Sequence, residues 1–163
     1  MLCGEVPLSL HEGRRALGGQ IMPGEVITDR YAAGVEATAC GPAAPEAIVR
    51  SFLALMEARE LGEAEQLLGP GFTMQFPGSP KMTRLEELVA WAGSRYRSIR
   101  KNIHACDVSP YPDHSVIVCH GTLSGEWNDG SAFEGIRFID RFELRHGLLT
   151  RQDVWNDLTL VSR

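Results

Sequence analysis

Residues 115–156 read SVIVCHGTLSGEWNDGSAFEGIRFIDRFELRHGLLTRQDVWN, and the way this stretch alternates decides the fold. Runs rich in β-branched and aromatic residues, Ser115 to Trp127, Ser131 to Leu144 and Leu148 onward to Leu160, are broken by Asp129-Gly130 and His146-Gly147, the punctuation expected of hairpins. Asp129-Gly130 predicts a two-residue type I′ turn, which pairs Asn128 with Ser131, Leu123 with Ile136, Gly121 with Phe138 and Cys119 with Asp140. Directly opposite residues share a face. One face then holds Ile117, Cys119, Gly121, Leu123, Ile136, Phe138, Asp140 and Phe142; the other holds Val118, His120, Thr122, Glu126, Arg137, Ile139, Arg141 and Glu143. A slip of one residue would destroy this sorting.

A three-residue loop, Arg145-His146-Gly147, sets Leu144 opposite Leu148 and carries the pairing on to Asp140 with Gln152, Phe138 with Val154 and Ile136 with Asn156. Asp140 is thus a carboxylate on an apolar face. Such a group loses hydration, which penalises its charge unless a donor such as Gln152 steadies it. Two readings stand side by side. Asp140 is a structural acid bonded to a backbone amide or to Gln152, as buried polar groups usually are, or a functional acid beside a cavity.

Upstream, Ile48, Val49, Phe52, Leu53, Leu55 and Met56 recur at helical spacing behind Pro45 and Glu46, which suit a first helical turn. Glu60 to Leu68 reads as a second short helix stopped by Gly69-Pro70-Gly71, and Phe72 to Phe76 as a strand ended by Pro77-Gly78-Ser79-Pro80. Thr83 with Glu86 is a capping-box signature for a third helix running to about Tyr96, and Asn102 to Ser109 is another strand. Three N-terminal helices followed by a meander predict an α+β domain over residues 46–163, with helices on one face of a strongly bent antiparallel sheet. Residues 1–45, in which glycine and proline interrupt every period, read as a flexible leader, with Met22 as a candidate true start.

The 163 residues carry 16 Lys plus Arg against 21 Asp plus Glu, a formal charge of -5, with 44% hydrophobic residues. One domain is expected, and no basic run exceeds a pair, which argues against nucleic acid and anionic membrane as partners. Neither a spanning apolar stretch nor an export signal is visible, so the expected location is the cytoplasm. Cys3, Cys40, Cys106 and Cys119 lack paired spacing and read as reduced thiols. His104, His114, His120 and His146 show no metal-ligand spacing; His104 is kept as a remote proton-transfer candidate lining the pocket. No metal and no cofactor is expected.

The element order, with Phe138-Ile139-Asp140-Arg141-Phe142-Glu143-Leu144, then His146-Gly147 and the closing Val154-Trp155-Asn156-Asp157-Leu158, resembles the nuclear transport factor 2-like superfamily and within it the SnoaL-like group. The resemblance covers about Glu46 to Val161. It implies a cone-shaped α+β barrel, a pocket between bent sheet and helices, and a homodimer through the outer sheet face, where Trp155, Ile139 and Val118 lie. Ketosteroid isomerase, a member of the superfamily, uses an aspartate base with a tyrosine and a protonated aspartate; Asp140 falls at the latter position, but Phe52 and Phe76 stand at the other two, so that reaction is not expected. The water-activating set of limonene epoxide hydrolase, another relative, is not matched either, since Val154 fills its last-strand aspartate position.

The expectation is a SnoaL-like protein binding a small apolar or partly polar molecule, possessing isomerase, cyclase, dehydratase or hydrolase activity with Asp140 as acid/base or oxyanion donor. Phe52, Phe76, Trp91, Tyr96, Cys119, Phe138, Gln152, Val154 and Asn156 are the expected pocket residues. The alternative is a non-catalytic ligand-binding or dimer-assembly module of the same fold, because the scaffold alone does not fix function.

Overall fold

The computed structural model describes residues 43–161; the expected leader falls outside them except for its last three positions, as do Cys3 and Cys40. In chain order the elements are α1 (Pro45–Ala58), α2 (Leu61–Glu65), β1 (Leu68–Gln75), α3 (Leu85–Gly93), β2 (Tyr96–Pro110), β3 (Ser115–Trp127), β4 (Ala132–Arg145), β5 (Leu148–Asn156) and α4 (Leu158–Val161). α1 buries Ile48, Val49, Phe52 and Leu53 along one stripe and stops where Arg59 turns left-handed (φ 64°). α3 begins one residue later than the expected box: the Glu87 carboxylate, not that of Glu86, accepts the backbone N–H of Thr83 (2.9 Å) and Arg84 (3.2 Å). These two donors hold Glu87 below the usual carboxylate pKa.

The five strands form one sheet in the order β1-β5-β4-β3-β2. β2 to β5 make the antiparallel meander, but β1 runs parallel to β5, so the sheet is mixed rather than wholly antiparallel. The chain crosses from β1 through α3 to the far edge and meanders back, which returns β5 beside β1 in the same direction. Gly69-Pro70-Gly71 does not end a helix; it is an irregularity inside β1, with Gly71 at φ 72°.

Both hairpin turns differ from expectation, yet the faces survive. At the first, Trp127 N–H bonds to Ser131 (2.9 Å) and Gly130 N–H to Trp127 (3.0 Å), a three-residue loop with glycine left-handed (φ 88°). A register shift beyond it, where Gly135 sits at φ 71°, restores Leu123 opposite Ile136 and Cys119 opposite Asp140. At the second, His146 (φ 52°) and Gly147 (φ 78°) make a two-residue turn, and Asp140 faces Val154 while Phe142 faces Gln152. The pairing is displaced by two residues from the expected one, and a displacement of two leaves every side chain on its own face. Ile117, Cys119, Leu123, Ile136, Phe138, Asp140, Phe142, Gln152 and Val154 are accordingly all buried.

The core has two parts. One packs α1 against the sheet, with Phe52 edge-on to Phe142 at 6.0 Å; the other gathers Ala92, Tyr96, Leu123, Phe133, Ile136, Phe138 and Leu158. At the β2–β3 connection Asp113 bonds to His114 (2.7 Å) and Arg145, first His114 and then Arg145 holding its pKa at about 2. A depressed folded pKa stabilises above the unfolded value, about 3.9, and that stability is lost as pH falls toward 2. Asp113→Asn is expected to flatten the acid limb of a circular-dichroism stability profile between about pH 4 and 2; an unchanged limb would show the contact to be silent.

Candidate functional site

Asp140 is completely buried on the helix-covered face of β4. It is not alone. Lys101, in β2 opposite Leu123, lays its side chain across β3 so that Nζ pairs with Asp140 Oδ2. Two inter-strand spacings amount to roughly 10 Å, a gap suited to a long cationic side chain. The Lys101 side chain is 19% exposed, and its ammonium lies 4.7 Å from the Phe138 ring centroid, a cation–π contact. Gln152 Nε2 donates to the same Oδ2 at 3.3 Å. A carboxylate only accepts, so the Gln152 amide must point its nitrogen at Asp140. Its Oε1 and Asp140 Oδ1 are then buried with no hydrogen-bond partner among the described residues.

Two small cavities adjoin this group and share Phe76, Tyr96 and Lys101 as walls. The larger, about 90 Å³, is closed by Phe52, Leu53, Met56 and Leu88 from the helices, by Gln152 from the sheet, and by Glu57 and Arg59 at the end of α1. The smaller, about 20 Å³, is lined by Trp91, Arg95, Phe138, Val154 and Asn156 among others. The walls come from both parts of the core, so the site lies where the two meet. Asp140 lines neither cavity. The charged group that does is Lys101, and Asp140 reaches the space through it.

Eight of the nine expected pocket residues, Phe52, Phe76, Trp91, Tyr96, Phe138, Gln152, Val154 and Asn156, line one cavity or the other. Cys119 does not: it is fully buried and its Sγ lies 2.7 Å from Cys106 Sγ, its cross-strand partner. His104 lines neither cavity; it follows the inward Ile103 and lies exposed beside His120, ring centroids 6.4 Å apart. Lys101 and Glu57 are the residues that sequence reasoning missed. A signal existed for Lys101: Ile99 and Ile103, two positions either side, mark it as an inward residue of any strand through them.

The electrostatics are mostly positive. Lys101, Arg59 and Arg95 all border the cavities, Arg95 with its guanidinium 4.5 Å over the Trp91 ring. Burial pushes the Tyr96 hydroxyl above its ordinary pKa, an effect Arg59 and Arg95 oppose. Glu57 is the one carboxylate bordering the larger cavity; its Oε2 accepts the Lys101 backbone N–H at 3.5 Å and its Oε1 lies 3.8 Å from Arg100. Desolvating a Lys–Asp pair costs several kcal/mol per ion, so such a pair is poor evidence of stability alone. What the arrangement offers is a cation held firmly at a hydrophobic wall, an orphaned acceptor beside it, and a carboxylate at the rim.

Among the described residues no group of three or more His, Cys, Asp or Glu is placed to hold a metal ion, and no helix is long and apolar enough to cross a membrane.

No family model matches the chain and no curated protein does. Solved structures do. An NTF2-like protein of unknown function from Burkholderia pseudomallei aligns with a TM-score of 0.57 at 13% identity, covering 71% of this chain and 92% of that one. TerC, co-crystallised with polyporic acid, aligns at 0.58 and 13% identity over 71% and 93%. A structure from a Jannaschia species carrying the name SnoaL-like polyketide cyclase aligns at 0.53 and 15% identity over 72% and 88%. The shared α+β arrangement, a five-stranded mixed sheet faced by helices, gives this chain the NTF2-like fold.

Proposed function

We propose that this protein is a SnoaL-like small-molecule pocket protein, a single domain over residues 46–163 with the cone-shaped barrel of that group, that takes an enolisable carbonyl compound with a mostly apolar body and moves a proton on it without a cofactor. The observation that carries the proposal is the buried Lys101–Asp140 pair at the cavity wall, with Gln152 Oε1 left unpartnered next to it. The Lys101 ammonium donates to the carbonyl oxygen and receives the charge that develops there when an α-proton leaves, the role of an oxyanion donor in a low-dielectric site. Asp140 pairs with the Lys101 ammonium and aims it, and so acts through it. Gln152 Oε1 accepts from a ligand hydroxyl. Glu57, at the rim, is placed to take the proton. Phe52, Phe76 and Trp91 give the reacting end apolar walls. Keto–enol isomerisation, aldol-type cyclisation and dehydration of a β-hydroxy carbonyl compound each start from such an enolate, and the names cyclase and dehydratase occur among the structural neighbours.

A second reading, non-catalytic binding, is favoured by one observation: about 90 Å³ is well short of the roughly 300 Å³ at which ligand pockets begin, so only the polar end of a ligand fits within. The outer sheet face, where Ile139 and Trp155 are 46% and 54% exposed, supports the homodimer of this proposal, in the cytoplasm.

The test is a thermal-shift screen of carboxylates, β-diketones and hydroxyenones, followed by turnover assays on the hits, since a ligand for the native state raises Tm. Asp140→Asn is expected to weaken binding about 10–100-fold, the worth of one charge-assisted hydrogen bond, ~1.5–3 kcal/mol. Glu57→Gln is expected to lower kcat and spare binding. Binding without turnover in the parent selects the second reading; ligands that bind Asp140→Asn as well as the parent remove the ion pair from the site.

A further inference from the structure

Cys106 and Cys119 are direct cross-strand partners in β2 and β3, Cys106 half-buried and Cys119 wholly so, with their sulfur atoms 2.7 Å apart. A disulfide needs Cβ atoms about 3.5–4.5 Å apart, the short end of the spacing of directly opposite residues, and the 2.7 Å between the sulfurs shows the two side chains already turned toward each other. β2 and β3 pair without a break from Ala105 opposite His120 to Pro110 opposite Ser115, so the two strands are already held in register. The Arg50 guanidinium on α1, paired with Glu46 at 2.8 Å, lies within electrostatic reach of both sulfurs.

We propose that Cys106 and Cys119 are a dithiol site that a peroxide converts into a reversible cross-strand disulfide.

Cys106 is the attacking sulfur because it belongs to the less buried residue of the two, half-buried against the wholly buried Cys119. Burial first, then the Cys106 contact and the charge of Asp140 opposite, hold the Cys119 thiol above its ordinary pKa, which reserves it as the resolving group. In the first step the Cys106 thiolate attacks one peroxide oxygen, the O–O bond breaks, and a sulfenic acid and hydroxide result. In the second the Cys119 sulfur displaces hydroxide from the Cys106 sulfur, and its proton leaves with that hydroxide as water. Two thiols and one hydrogen peroxide give one disulfide and two waters; the sulfur atoms lose the two electrons that the peroxide gains. The inference does not rest on the proposed function.

The experiment uses the full chain, reduced, desalted and treated with hydrogen peroxide, followed by thiol blocking, digestion and mass spectrometry. Expected is a peptide linking Cys106 to Cys119, the two thiols disappearing together, a Tm raised by about 5–10 °C, and full reversal by dithiothreitol. In Cys119→Ala the sulfenic acid on Cys106 persists and is trapped by a dione reagent; in Cys106→Ser the Cys119 thiol stays unmodified. The proposal is overturned if both thiols still take the blocking reagent after peroxide, if Cys106 proceeds to sulfinic acid with Cys119 untouched in the parent, or if either sulfur links instead to Cys3 or Cys40.

Discussion

Replacing Lys101 by methionine is expected to cost about 3–5 kcal/mol of folding stability and to lower Tm by roughly 10–20 °C, far more than a surface lysine is worth. The side chain removed is only 19% exposed and its partner is not exposed at all. Methionine keeps most of the packing volume, so the loss comes from Asp140, left with one long amide contact from Gln152 and no countercharge in a setting of Ile117, Phe138 and Phe142. Breaking a buried pair from one side strands the other charge, whereas removing both avoids that cost. The double variant Lys101→Met with Asp140→Leu is therefore expected to recover most of the lost stability while losing all ligand binding. Urea unfolding of the four proteins in the cycle checks this. A single Lys101→Met variant within about 0.5 kcal/mol of the parent would mean that the pair does not form, and the proposed site would lose its cation.

The separation of stability from binding in that cycle explains why the pair was half legible. Asp140 was found from alternation alone, because a strand buried on one side repeats every two residues and an acid among Phe138, Phe142 and Ile117 breaks the pattern visibly. Both hairpin loops differ from expectation, yet the odd change at the first is cancelled by the shift at Gly135 and the second displaces the pairing by two, so parity survives. Lys101 was hidden for the converse reason. The expected strand begins at Asn102, whereas β2 begins at Tyr96 and contains two register shifts, between Tyr96 and Ser98 and between Ile103 and Ala105. Each shift changes which residues face inward, and a bulge is set by how a strand must bend over its neighbour rather than by its own residues. His104, kept as a candidate for the pocket, follows the inward Ile103 and so faces out. The parallel pairing of β1 with β5 was invisible because it joins segments some eighty residues apart, with no turn to set the register.

That bending has a second dependence, at Gly121, where even alanine is expected to destabilise by about 3 kcal/mol or more, at the upper end of what overpacking costs, and to disrupt ligand binding together with folding. A Cβ built there would stand 1.9 Å from the Asn102 carbonyl oxygen, 2.9 Å from its carbon and 3.1 Å from the His104 nitrogen. All three are backbone atoms of β2, so no rotamer change relieves the collision; β2 itself must move away. The residue before Asn102 is Lys101, and any retreat of β2 draws its ammonium away from Asp140. Gly125 meets β2 in the same manner, 2.1 Å from the Ser98 oxygen, so β2 is pressed onto β3 on both sides of Lys101. The control is Gly62 in α2, where a Cβ meets nothing within 4 Å; Gly62→Ala is expected to be neutral or to gain up to about 1 kcal/mol from helix propensity. If Gly121→Ala unfolds at the same temperature as Gly62→Ala, the close approach of β2 is wrong, and with it the reach of Lys101 to the buried acid. If it unfolds early yet still binds ligand at the parent's affinity, the cation at the cavity wall does not depend on this approach, and the enolate must be held from another position.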